Sequence, residues 1–153
     1  MIINADSAQL YRDLPILSAA PSAADRARAE HRLYGLLDGS EACSAAHWAR
    51  LARREFEGAH AEGKLPILAG GTGLYLRTLL DGIAPIPPID PQVRADVRAR
   101  DVGANHARLS EIDPQSAAGL NPADSLRVAR ALEVVLSTGR TLADWQRRRE
   151  GGI

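Results

Sequence analysis

The chain holds one cysteine, Cys43, and one lysine, Lys64. A single cysteine excludes an internal disulfide and a cysteine-based zinc site. No Gly-Lys-Ser or Gly-Lys-Thr occurs, so these residues contain no P-loop, and Lys64 reads as part of a helix-to-strand link. Aromatic residues make up 4% of the chain, which leaves few platforms for stacked bases. No apolar run approaches the roughly 20 residues needed to span a membrane. The start Met1-Ile2-Ile3-Asn4 lacks the charged and apolar regions of a signal peptide, so a cytoplasmic protein with no membrane partner is expected. Lys+Arg and Asp+Glu are both 19. Neither sign dominates, and any affinity for nucleic acid has to come from a local basic face. His31, His47, His60 and His106 show no metal-binding spacing and read as structural.

What is present is more specific. Pro66-Ile67-Leu68-Ala69-Gly70-Gly71-Thr72-Gly73-Leu74-Tyr75-Leu76-Arg77 reads as a short buried strand, a glycine-rich turn and the start of a helix. Gly70 and Gly71 open backbone angles closed to other residues, and Thr72 places a hydroxyl and an N–H at a helix N-terminus, where a phosphate can bind. Met1–Ala5 is also strand-like and runs into Asp6-Ser7-Ala8-Gln9-Leu10-Tyr11. Two such strand ends in one parallel sheet bring Asp6 and Thr72 to the same rim, where open α/β sheets bind ligands.

The rest of the pattern divides the chain. Ser22 to about Leu37 reads as a helix with Ser22 at its N-cap, and Ser44 to Glu62 as a second, with Trp48, Leu51, Ala52, Phe56 and Ala59 at i, i+3, i+4 spacing. Strand–helix–strand order predicts parallel pairing through a right-handed crossover. Pro85-Ile86-Pro87-Pro88-Ile89-Asp90-Pro91 is a stiff linker. Helices follow it: one capped by Asp90, then Asn105 to Ile112, Asp124 to Ser137, and a last one opened by Thr141 and Asp144. The expected organisation is an α/β core over 1–84, the linker over 85–91 and a helical segment over 92–153.

These motifs resemble the tRNA dimethylallyltransferases. Asn4-Ala5-Asp6-Ser7-Ala8-Gln9-Leu10-Tyr11-Arg12 is similar to the family's Asn-Ala-Asp-Ser-Met-Gln-Val-Tyr-Arg segment, and Gly70–Arg77 matches its Gly-Gly-Thr-Gly-Leu-Tyr-Leu-Arg turn. Leu79–Gly82, Pro85–Pro87, Asp90-Pro91, Arg94, Arg127, Arg130–Val134 and Thr138–Leu142 follow in the family's order. The resemblance implies a partial P-loop-NTPase-like parallel sheet. The family's first strand, its P-loop and its C-terminal third have no counterpart here, so these residues correspond to the middle of such an enzyme. There are also departures. Ala20 stands where the family has a lysine, Leu17 where it has a glycine, and Ala123 where it has an asparagine.

The chemistry implied by the resemblance is transfer of a dimethylallyl group from dimethylallyl diphosphate to the exocyclic amine of the adenine beside the tRNA anticodon, with magnesium as cofactor. Such an amine is a poor nucleophile, and a positioned base contributes typically 10²–10⁴-fold. The resemblance gives that role to Asp6; read without it, Asp6 is an ordinary turn-capping aspartate. The resemblance also implies tRNA contacts by Asp6, Ser7, Ala8 and Gln9, by Thr72, by Arg94, and by Leu126, Arg127, Val128, Ala129 and Arg130. Arg127 and Arg130 lie one turn apart on one helix face, with Val128, Leu132 and Val135 on the other, which could equally be a solvated face. Two other readings stay open: an adenylate isopentenyltransferase acting on a free nucleotide, and a non-catalytic, vestigial RNA-binding module. A sheet without its first strand leaves an unpaired edge, so self-association of this fragment is a further expectation.

Overall fold

Ile2 and Ile3 are β-branched and suit a pleated, half-buried strand. In the computed structural model, which describes residues 1–153, Ile2–Asn4 form the central strand, β1. It is flanked by β2, His31–Arg32, and β3, Ile67–Ala69, in the order β2–β1–β3. Both pairings are parallel, with Ile2 opposite His31 on one side and Ile67 on the other. The architecture is α/β, as the strand–helix–strand order implies.

The segment after Ser22 departs from expectation. Ser22 and Asp25 make a reciprocal capping box, but the helix they open, α1, ends at Arg28 (Ala23–Arg28) and buries none of its residues. A helix with no apolar face to dock gains little beyond its caps. The chain extends instead, and His31–Arg32 hydrogen-bond to β1. The polar pair has no alternation to read, so its place in the sheet is set by its neighbour alone.

α2, Ala45–Ala61, starts at Ser44, whose hydroxyl accepts the His47 N–H at 3.1 Å. Its buried residues include Trp48, Ala49, Ala52 and Ala59. Trp48 is the large anchor. Its ring stacks on Tyr75 of α3 (Gly73–Asp81), centroids 4.7 Å apart and planes at 12°, and its indole N–H donates to the Asn4 carbonyl at 2.9 Å. Ile3, Leu10 and Leu79 complete the fully buried centre of this core. The outer edge of β3 has no partner strand, and Ile67 on it is 51% exposed.

The chain divides into two compact units, Met1–Ile83 with Gly151–Ile153, and Ala84–Glu150. The second is helical. Asp90 accepts the Gln92 and Val93 N–H groups and, with Pro91 at the first position, opens α4 (Pro91–Ala99). α5 (Val102–Ile112), α6 (Pro114–Ala118), α7 (Ser125–Thr138) and α8 (Leu142–Gln146) follow. α6 carries no periodic signal; Asp113 accepts the Ser116 N–H and Pro114 opens the turn. α4 and α5 pack against α7 around Val97, Leu109, Ala129 and Leu132. No helix is long and apolar enough to cross a membrane.

Trp48→Phe keeps most of the packing but leaves the buried Asn4 carbonyl without its donor. It is expected to cost about 1–3 kcal/mol, read by urea denaturation.

Candidate functional site

β1 ends at Asn4, which is wholly buried. A carboxamide has two donors and one acceptor oxygen, and all are used here. Asn4 Nδ2 donates to the Asp6 carbonyl at 2.9 Å and the Leu33 carbonyl at 3.0 Å, and Oδ1 accepts the Asp6 N–H at 2.8 Å. The side chain therefore clamps the turn that presents Asp6. The half-buried Asp6 accepts the Ala8 N–H on Oδ1 at 2.8 Å. That bond closes the turn that leads into a single 3₁₀ turn, Ala8–Leu10. Its turn-capping role engages only one carboxylate oxygen and leaves Oδ2 for another proton or hydroxyl.

β3 delivers its end to the same rim. Ser7 N–H donates to Thr72 Oγ1 at 2.9 Å, the Thr72 hydroxyl donates to Ser7 Oγ at 3.3 Å, and the Thr72 N–H donates to the Ala5 carbonyl at 3.1 Å. Asp6, Ser7 and Thr72 thus stand together, as the two strand ends predict. The expectation that Thr72 offers a free hydroxyl and N–H to a phosphate is corrected by this geometry: both groups are spent joining the two turns. Gly70 makes the approach possible. At its φ of +150° a Cβ would lie 2.3 Å from the Ala5 carbonyl carbon and 2.5 Å from the Asp6 nitrogen.

Ala8 is exposed, and Gln9 is turned to structural use. Its Nε2 donates to the Ser18 carbonyl at 2.9 Å and the Ala19 carbonyl at 3.4 Å, which pins the loop carrying Ile16 (93% exposed) and Leu17 (84% exposed). Burial, with the Cys43 thiol beside it, pushes the Tyr75 phenol well above its ordinary value. Tyr75 stays neutral and packs.

The other expected site residues lie in the helical unit. Arg94 is on α4, with its side chain 55% exposed. On α7, Leu126 is exposed and Arg127 lies 3.6 Å from Asp124. Val128 and Ala129 are buried in the core, so their side chains are closed to any ligand, because successive helical residues point in different directions. The stretch Leu126–Arg130 is therefore two exposed positions and a half-buried arginine, not a continuous contact surface. An open groove of about 550 Å³ runs beside it, lined by Leu120, Leu126, Arg127, Arg130 and Leu142 among others.

No three His, Cys, Asp or Glu side chains converge to hold a metal ion. The residues here do not by themselves fit the magnesium that the resemblance implies. Sequence reasoning also passed over Asn4 as a functional residue, although a carboxamide ending the strand Ile2-Ile3-Asn4 was the available signal.

Asn4→Asp replaces two N–H donors with acceptors that face two carbonyls. It is expected to cost at least about 2 kcal/mol in denaturant unfolding, with amide exchange rising first at Asp6–Ala8. Gly70→Ala is expected to separate β3 from the Asp6 turn and to lower thermal stability further, measured by calorimetry.

Comparison with known proteins adds to this geometry. The tRNA dimethylallyltransferase of Novosphingobium aromaticivorans is 59% identical over 153 residues, which is 100% of this chain and 54% of that protein. That of Sphingopyxis alaskensis is 60% identical over 152 residues, 99% of this chain and 50% of that one. The chain spans about half the length of these curated relatives. A eukaryotic dimethylallyltransferase structure, described as acting on tRNA, superimposes with a TM-score of 0.82 at 25% identity, over 99% of this chain and 40% of that one. The tRNA isopentenylpyrophosphate transferase of Bacillus halodurans gives a TM-score of 0.53 at 36% identity, over 90% of this chain and 47% of that one. The family model described as IPP transferase matches residues 9–152, and the chain belongs to the IPP transferase family.

Proposed function

We propose that these residues form the acceptor side of a prenyl-transfer site, as part of an enzyme about twice as long. The reaction is transfer of a dimethylallyl group from dimethylallyl diphosphate to the exocyclic amine of an adenine beside the tRNA anticodon. The observation that supports it most is the Asp6 turn. A half-buried aspartate, its backbone clamped by a fully buried asparagine and its turn joined to Thr72 through Ser7, keeps one carboxylate oxygen unengaged.

In the step itself, the amine nitrogen forms a bond to the first carbon of the dimethylallyl group. The bond from that carbon to the diphosphate oxygen breaks, and diphosphate leaves with the electron pair. The nitrogen proton passes to Asp6 Oδ2. The Asp6 backbone is held by Asn4 and its Oδ1 by the Ala8 N–H, which limits the reorganisation the carboxylate needs to meet the amine. Ser7 Oγ, already oriented by Thr72, is available to an adenine edge or ribose hydroxyl. Arg94, Arg127 and Arg130 supply phosphate contacts from the helical unit.

The acceptor separates this reading from its neighbours. A single-stranded loop is read by base edges and backbone phosphates together. The arginines of the helical unit therefore favour tRNA over the free nucleotide of an adenylate isopentenyltransferase. Ala20, in place of a basic residue, is compatible both with a divergent enzyme and with the vestigial alternative, an RNA-binding module without turnover. Pairing of a second copy on the bare β3 edge belongs to the same proposal and would show as concentration-dependent sedimentation.

In a complete enzyme carrying these residues, Asp6→Asn is expected to lower kcat by about 10²–10⁴-fold with little change in KM for an anticodon stem–loop RNA. Single-turnover kinetics with that RNA and dimethylallyl diphosphate measure it. An unchanged rate would remove Asp6 from the chemistry.

A further inference from the structure

Glu133 is the only acidic residue in the run Ala131-Leu132-Glu133-Val134-Val135 of α7, and it is buried with the apolar residues around it, at 1% exposure. Taking a carboxylate out of water is costly unless cations and hydrogen bonds compensate. Here compensation is partial. Glu133 Oε1 accepts from Arg98 Nε at 2.6 Å, while Oε2 lies 3.9 Å from Arg94 Nε and has no hydrogen-bond partner. Arg94 and Arg98 are four residues apart on one face of α4 and share this single anion. Arg130 lies one turn before Glu133 on α7. Partial burial lowers its pKa, an effect that the nearby Arg94 and Arg98 add to and Glu133 opposes. The bond to Glu133 correspondingly holds Arg98 above its ordinary value.

Two guanidiniums thus contact one carboxylate, on a chain with no net charge. The arginine side chains stay about half exposed at Arg94 and Arg98 although the glutamate is buried. Each guanidinium offers five N–H donors in a rigid plane, and contact through Nε leaves others for an outside oxygen. Glu133 cannot reach an outside ligand. It can only set where the two guanidiniums point and keep their like charges from spreading apart.

We infer that Glu133 is a positioning residue that holds Arg94 and Arg98, beside Arg130, as a clamp for phosphodiester groups of RNA. The inference rests on the functional reading above and extends it from Arg94 to a cluster with a buried organiser. Phosphate is the shared chemistry of an RNA backbone and of a free diphosphate. The cluster lies half exposed on helix surfaces rather than in an enclosed cavity, which suits a backbone passing over it.

The sign of one effect tests this. Glu133→Gln removes a negative charge beside two cations, so charge alone would strengthen RNA binding. Positioning requires the opposite: roughly tenfold weaker binding of an anticodon stem–loop RNA to a complete enzyme carrying these residues, the size of one lost charge-assisted contact. The slope of log affinity against log salt should fall in magnitude by about one. The loss should also shrink in an Arg94→Gln background, because the two residues act together. Glu133→Asp keeps the charge, withdraws the carboxylate from Arg98, and is expected to weaken binding similarly; it carries the test if Glu133→Gln does not fold. Equal or tighter binding by folded Glu133→Gln overturns the inference, as do losses that simply add to those of Arg94→Gln. Displacement of the RNA by sub-millimolar pyrophosphate would assign the cluster to a small anion and overturn the RNA assignment. If a complete enzyme carrying the unsubstituted residues fails to bind the RNA at all, the functional reading itself fails, a result distinct from every Glu133 outcome.

Discussion

Everything at the sheet rim depends on one buried residue being fully hydrogen-bonded. Asn4 has no exposed surface, yet it carries four hydrogen bonds: three through its side chain to Asp6 and Leu33, and one through its carbonyl from the Trp48 indole. A buried polar network is stabilising only when complete, since each unpaired group costs its full desolvation. The turn that presents Asp6, the approach of the segment at Leu33 and the docking of α2 are therefore one coupled arrangement. Trp48 extends it to α3 by stacking on Tyr75. The carboxylate proposed as base is thus oriented from inside the core.

The helical unit solves a related problem with charge. A glutamate placed in an apolar run must find cations or raise the energy of the fold, and α4 supplies two of them on one face. Their attraction to Glu133 organises a basic patch on a chain whose charges otherwise cancel. Overall charge is silent about nucleic acid, and the basic patch proposed above would come from placement, not from excess. The two units share a principle. In each, a buried polar group that touches no ligand sets the direction of exposed groups that could.

The glycine-rich turn shows how such rims are assembled. Gly70 lets the β3 turn lie against the backbone of Ala5 and Asp6 at a distance that no side chain would permit. Thr72 then uses its hydroxyl and amide to join the turns. Residues that look like ligand contacts in a sequence can be the fasteners that hold the contacts in place. Gln9, tied to the loop at Ser18 and Ala19, is another.

Much of this was legible in the amino-acid sequence. Local chemistry determined the parallel strand ends at Asn4 and Ala69, the caps at Ser22, Ser44, Asp90 and Thr141, the Trp48 face of α2, and the meeting of Asp6 with Thr72. Each follows from period, turn residues or a capping pattern carried within a few positions. Tertiary structure alone decided the rest. β2 is two polar residues that become a strand because β1 offers them hydrogen bonds, and α1 stops early because it has no apolar face to bury. Val128 and Ala129 are withdrawn from the surface by the rotation of α7 into its core. Asn4 and Glu133 gain their importance only from partners at Leu33, Trp48, Arg94 and Arg98, tens of positions away in the chain. Hydrogen bonding and charge pairing act through space, so a residue's neighbours in sequence do not reveal them.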